Sequence, residues 1–290
     1  MVGRKKELDR ILELFEHTVA GGKVFLTVGG LSGIGKSTLI CETAKPLTQC
    51  KGIILSGKFD QLQKNIPYYA WIQAFEQFAD TILSEPPHIL AQWRVKFKSS
   101  LQGVDSVLIQ MAPKLGKVLG LHDKTPTLSA VELKNRLQYG VGLFLSLLAA
   151  PYHPLILFLD DWQWADEDSI RLLESIISNP SLNNLMVVAA YRTNEVSSIH
   201  PFYPIIKDCI DNPGQSVHEP IFRESISLLP LSEKDNLTLL QNTLNKPQQK
   251  LELLSKIIYS KTQGNPFLAG ELLALLFTKK LLWIDSLTHH

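Results

Sequence analysis

A chain of 290 residues, 45% of them hydrophobic, has material for one large core or two smaller ones. Its 29 basic and 28 acidic side chains leave a formal charge of +1, so no global field is present to recruit nucleic acid or an acidic membrane surface. Cys41, Cys50 and Cys209 are odd in number and lack metal-ligand spacing, and "MVGRKKELDR" has no apolar stretch of the signal-peptide kind, so a reducing, cytoplasmic compartment is expected.

The first predicted element is a helix: "KKELDRILELFEHTVAGG" sets Leu8, Ile11, Leu12 and Phe15 at helical spacing and stops at Gly21 and Gly22. An apolar run then breaks into glycines and restarts as a second helix, "VFLTVGGLSGIGKSTLI". Within it "GLSGIGKS", residues 30–37, fits G-x-x-x-x-G-K-[ST] between a strand and a helix, the context a P-loop requires. Glycines let successive backbone N–H groups turn inward around phosphate, and the helix N-terminus adds partial positive charge. Gly30, Ser32, Gly33, Ile34 and Gly35 are thus expected to cradle the phosphates, with Lys36 reaching the β and γ oxygens, Ser37 ligating Mg²⁺ and Thr38 touching the α-phosphate. The bland alternative is a glycine-rich turn with a surface lysine, and the strand–loop–helix context weighs against it.

Four further apolar runs are predicted strands: "GIILSG" (52–57), "PLILFLD" (154–160), "LMVVAAY" (185–191) and "SISLLPL" (225–231). Continuous Val/Ile/Leu content suits strands covered on both faces, and intervening helices imply right-handed crossovers in a parallel sheet. The expected fold is α/β, a P-loop NTPase with a doubly wound, parallel five-stranded sheet. Between the second and third runs, residues 61–150 are too long for a simple crossover. "YAWIQAFEQFADTIL", "HILAQWRVKFKSSL" and "AVELKNRLQYGVGLFLSLL" predict three helices there, punctuated by Pro86, Pro87, Pro113 and Pro126. The apolar "VGLFLSLLAA" is too short to span a bilayer and is read as a buried helix.

The third strand delivers "LILFLDDWQWAD". Asp160 at its C-terminal end would stand beside the P-loop and hold Mg²⁺ through water, and Asp161 could polarise the attacking water as a general base. Either aspartate could instead cap the next helix, although Asp166, Asp168 and Ser169 are better placed for that. Trp162 and Trp164 are expected to pack rather than touch ligand. Arg192, after the fourth strand, either faces a γ-phosphate or forms a surface ion pair. His153 and His200 each precede a proline and read as turn residues. Beyond residue 231, "SEKDNLTLLQNTL", "QQKLELLSKIIYSKT" and "NPFLAGELLALLFTKKLL" predict three helices.

"VGRKKEL", the P-loop, "LDDWQWAD", "AYRTNE", "LLPLS" and "QGNPF" follow one another in an order that resembles the STAND class of signal-transduction ATPases, related to AAA+ proteins. More narrowly, "SGKFDQLQKNIPYYAWIQAFEQF" (56–78) is similar to the ATPase module of large bacterial proteins that join a serine/threonine kinase domain to a sensor histidine kinase. The resemblance implies that Val2, Gly3 and Arg4 line an adenine pocket, that Arg192 senses the γ-phosphate, and that Pro266 presses a helical lid onto the base. Two of these keep a bland alternative: Arg4 as a surface arginine capping a helix, and Pro266 as a proline at the first turn of the last helix. Lys58, Asp60 and Arg136 match the narrower pattern without a physical role. The chain starts at "MVGR" and stops at "LTHH" with no winged helix, repeat sensor or effector, so it is expected to be an excised module or fragment.

These elements predict a nucleotide-binding domain over 1–231, with its helical insertion at about 61–150, and a small helical lid over 232–290. The expected function is a switch that binds ATP or ADP with Mg²⁺ and hydrolyses ATP slowly. Adjacent sensor and effector domains, kinase and histidine kinase, would read its state, and ATP could drive self-association. Nucleic acid and membrane are not expected partners. The alternatives are an origin-recognition-like AAA+ ATPase acting on DNA, which a basic tail or cluster would favour, and a scaffold whose nucleotide is structural only.

Overall fold

The computed structural model describes residues 1–49, 52–120, 129–151, 153–215 and 221–282; Cys50, Pro126 and the stretch 283–290 lie outside the described residues. Helix α1 (Lys5–Val19) turns at Gly21 into β1 (Lys23–Gly30), and the glycine-rich loop leads into α2 (Lys36–Gln49). After β2 (Ile53–Lys58) come five helices: α3 (Tyr69–Ser84), α4 (Pro87–Ser100), α5 (Asp105–Met111), α6 (Lys114–Leu119) and α7 (Ala130–Leu148). The chain then alternates β3 (Leu155–Asp160), α8 (Glu167–Ser178), β4 (Leu185–Tyr191), α9 (Tyr203–Asp211), β5 (Gly214–Gln215) and β6 (Phe222–Leu228). It closes with α10 (Glu233–Leu244), α11 (Gln248–Thr262) and α12 (Pro266–Thr278). No helix among the described residues is long and apolar enough to cross a membrane.

The sheet runs β2-β3-β4-β1-β6-β5, and its first five members are parallel. The five expected strands are therefore present, with two corrections. A sixth, the two-residue β5, pairs antiparallel at the edge. The last parallel strand lies three residues earlier than its apolar run suggested, pairing from Val24↔Phe222 to Gly30↔Leu228. Its polar residues had masked it: Glu224 receives Arg10 at 2.6 Å and Arg223 meets Asp208 at 2.9 Å, while Pro230 lacks the N–H that a longer strand would use.

Continuous apolar strands require cover on both faces, and both are covered. On one side Phe25, Leu157, Val187 and Leu159 pack with the insertion and with α8 and α9; on the other Val24, Leu26, Val28 and Val188 pack with Ile11, Leu14 and Phe15 of α1 and Leu39 of α2. In α1 Leu14 is buried, whereas Leu12 is only partly covered. Leu240, Leu251, Ile258, Ala269 and Leu273 form a separate cluster among the last three helices. The insertion holds its three expected helices plus α5 and α6, which were too short for periodicity to reveal and which part at Pro113.

The β2 edge is closed by α3. Gln77 and Gln73, four residues apart on one helix face, accept the backbone N–H groups of Ser56 at 2.7 Å and Lys58 at 2.8 Å. Between them Gly57 lies so close to the helix that a Cβ would stand 1.8 Å from the Ala70 carbonyl oxygen. Gly57→Ala is therefore expected to cost about 1–3 kcal/mol or more by overpacking. Chemical denaturation would read this as a lower midpoint, and an unchanged midpoint would disprove the close approach.

Candidate nucleotide site

Parallel α/β sheets bind ligands beyond the C-terminal ends of their strands, and the chemistry-bearing residues collect there. The loop after β1 turns through Gly33 and Gly35, whose φ angles of 72° and 101° suit glycine. A cavity of about 390 Å³ opens over this loop, lined by Ser32, Gly33, Ile34, Gly35, Lys36, Ser37 and Thr38 and by Lys58, Asp160, Asp161, Arg192, Pro266 and Phe267. Lys36, only 7% exposed, donates from Nζ to the Gly30 and Leu31 carbonyls at 3.0 Å each. Burial pushes its ammonium below the ordinary lysine value, against the pull of Asp160 and Asp161. Gly30 itself serves through that carbonyl and does not line the cavity.

Ser37 Oγ donates to Asp160 Oδ2 at 2.6 Å. A hydroxyl and a carboxylate so paired fit a small hard cation that keeps most of its waters, the habit of Mg²⁺. Asp160 Oδ1 accepts the Asp161 N–H at 2.8 Å, which helps hold Asp161 in the left-handed region at φ 57°. Asp161 is buried and is the hub of the site. Its Oδ1 takes Gln163 Nε2 at 2.7 Å and stands 3.3 Å from Arg192 Nε, and its Oδ2 is 2.9 Å from Lys58 Nζ. Burial pushes this carboxyl up, yet the Gln163 bond and the Lys58 and Arg192 charges together hold it below its usual value.

The flanking elements explain the row. Lys58 pairs with Asp160 across the β2–β3 register, and Arg192 directly follows β4. Arg192 lies over Trp164 at 4.6 Å and meets Glu195 at 2.7 Å, so it both lines the cavity and joins an ion pair. Trp162 packs as expected, stacked on Phe202 at 4.8 Å and edge-on to Phe59 at 4.9 Å. The helix cap falls to Asp166, which accepts the Ser169 N–H, and both preceding aspartates are left to the site.

Arg4 is 4% exposed, not a surface residue: it donates to the Leu229 carbonyl at 2.6 Å and to Ile34 of the P-loop at 3.3 Å. Val2, Gly3 and Arg4 stand outside the cavity lining, although Met1 reaches to 3.4 Å from the Cβ position of Gly35. Pro266 opens α12 and lines the cavity as well. Beside it Asn265 Nδ2 donates to Ser32 O at 2.8 Å and the Phe267 N–H to Gly33 O at 3.3 Å. Asp60 caps the short turn at Gln61, and Arg136 is exposed on α7 away from the cavity. His153 lies in a bridge with Ala150, and His200 approaches the Gln163 carbonyl at 3.1 Å.

Sequence reasoning missed Gln163 altogether. Its amide spans the site, giving one hydrogen bond to Asp161 and accepting the Arg192 N–H at 3.0 Å. The one available signal was a polar residue between two tryptophans at a strand end.

Residues 1–188 match the AAA ATPase domain family. Hybrid signal transduction histidine kinase G of Dictyostelium discoideum is 30% identical over 99% of this chain and 10% of its own length. Histidine protein kinase 1 of Candida albicans is 24% identical over 67% of this chain and 9% of its own. The chain thus spans about a tenth of the length of these relatives. Among solved structures, a RuvB protein of Thermotoga maritima gives a TM-score of 0.45 at 15% identity, covering 96% of this chain and 64% of that one.

Proposed function

Since this chain belongs to the AAA ATPase domain family, we propose that it is a slow, nucleotide-operated switch inside a larger signalling protein. One observation carries this reading: the helix that opens at Pro266 is bonded directly to the phosphate-binding loop, through Asn265 to Ser32 and Phe267 to Gly33. Whatever enters the loop must therefore accommodate or displace the last three helices, which act as a lid from residue 232 onward.

In this mechanism the P-loop amides and Lys36 bind the phosphates, while Ser37 and Asp160 hold Mg²⁺, which when bound offsets phosphate charge. Asp161 accepts a proton from the attacking water, and Arg192 faces the γ-phosphate from the far side. The adenine is received on the flank of Pro266, with Arg4 tying the segment that carries Val2 and Gly3 to Ile34 of the loop. Carrying a population from mostly closed to mostly open requires ATP and ADP to differ by roughly 5 kcal/mol in lid preference, within reach of a γ-phosphate with several charge-assisted contacts. The relatives' names support neighbouring histidine-kinase domains as readers of that state, and ATP-driven self-association is a second route for output.

Steady-state turnover of the isolated chain is expected far below the roughly 10 per second typical of enzymes. ADP should be retained more tightly than ATP, and X-ray scattering should differ between the ADP and ATP-analogue states. Several turnovers per second without a partner, or superimposable scattering profiles, would refute the switch.

A further inference from the structure

Two cations flank the Asp161 carboxylate, and they are held very differently. Arg192 is 23% exposed, stacked on Trp164 and bonded to Glu195, so its guanidinium is fixed on three sides. The Lys58 side chain is 59% exposed, and among the described residues its ammonium meets only Asp161, at 2.9 Å. Its backbone, by contrast, is pinned by the bond from its N–H to Gln73 and by its place at the end of β2. A flexible four-carbon stem on a rigid base is suited to swinging between two anions.

The cavity offers a reason for it to swing. Lys36, Lys58 and Arg192 line it together with Asp160 and Asp161, and Glu195 pairs Arg192 from outside the lining, so three cations converge on the space above the loop and Lys58 is the most exposed of them. A terminal phosphate carries more negative charge than a carboxylate and presents three acceptor oxygens. We propose that Lys58 is a phosphate-contacting residue that leaves Asp161 for the γ-phosphate of bound ATP and stays on Asp161 when ADP is bound. This rests on the nucleotide-switch reading and adds to it the group that distinguishes the two nucleotides.

The test is calorimetric titration of the full 290-residue chain with Mg-ATP analogue and Mg-ADP, for the unaltered protein, Lys58→Met and Lys58→Arg. Loss of one charge-assisted contact predicts that Lys58→Met weakens the ATP analogue roughly ten- to a hundredfold and ADP less than about twofold, with Lys58→Arg keeping most of the preference. An unneutralised Asp161 would also repel ATP, so the comparison is repeated in Asp161→Asn. There the preference must still fall when Lys58 is replaced. Equal losses on both nucleotides, no loss, or a loss that vanishes in the Asp161→Asn background would overturn the assignment, the last showing that Lys58 acts only through Asp161. Failure of the unaltered chain to bind either nucleotide would instead remove the switch reading itself, and this assignment with it.

Discussion

Asp161→Asn is expected to leave Mg-ATP bound and to slow its hydrolysis by roughly 10²–10⁴-fold, the usual contribution of a positioned general base. The asparagine keeps an oxygen for Gln163 while removing the proton acceptor and the charge that faces Lys58 and Arg192. Because Gln163, Lys58 and Arg192 outweigh burial and hold Asp161 below the ordinary carboxylate value, the base is ionised throughout the neutral range. Activity should accordingly be flat across neutral pH and fall only in acid, as pH drops through that lowered value. Asp160→Asn should differ, changing the Mg²⁺ dependence as well, since Asp160 shares its carboxylate with Ser37. Unaltered turnover in Asp161→Asn would transfer the base role elsewhere, to Glu195, which is bonded to Arg192 at 2.7 Å, or to a residue of a neighbouring protomer.

Lys36→Ala is expected to weaken Mg-ATP and Mg-ADP alike, roughly ten- to a hundredfold, because a charged hydrogen bond contributes about 1.5–3 kcal/mol and both nucleotides present a β-phosphate. Lys36 has no better employment in the structure: its Nζ rests on two loop carbonyls that a phosphate would outcompete. Since burial lowers its pKa, binding by the unaltered protein should begin to fail on the alkaline side earlier than an ordinary lysine would dictate. Unchanged affinity of Lys36→Ala by calorimetry would remove the P-loop assignment.

Local chemistry was legible in the sequence wherever one segment contains it. The apolar runs of β1, β3 and β4, the glycines before Lys36, and Asp160 at a strand end each announce themselves within a dozen residues. What stayed hidden was made by segments meeting across the chain. Lys58 and Asp161 are brought together by strand pairing over a long insertion, so spacing gave Lys58 no role. Arg4 looked exposed because its acceptors, Leu229 and Ile34, belong to other elements. The β6 strand was misplaced because its charges are neutralised by Arg10 and Asp208, neither adjacent in sequence.

The strand order also bears on how the chain is made. β1 emerges first from a ribosome, yet its two neighbours, β4 and β6, begin at Leu185 and Phe222. At the roughly 5–20 residues per second of synthesis, Val24, Phe25, Leu26 and Val28 wait on the order of ten seconds or more with both edges unpaired. Loop-closure entropy of this size slows folding and leaves the nascent segment sticky. The insertion shortens the risk, since its helices can form from local contacts and shelter one face of the sheet before the centre closes. The P-loop itself is completed last, when Leu228 pairs with Gly30 and Asn265 reaches Ser32, so a truncated product ending before α12 would carry the nucleotide motif without its finished site.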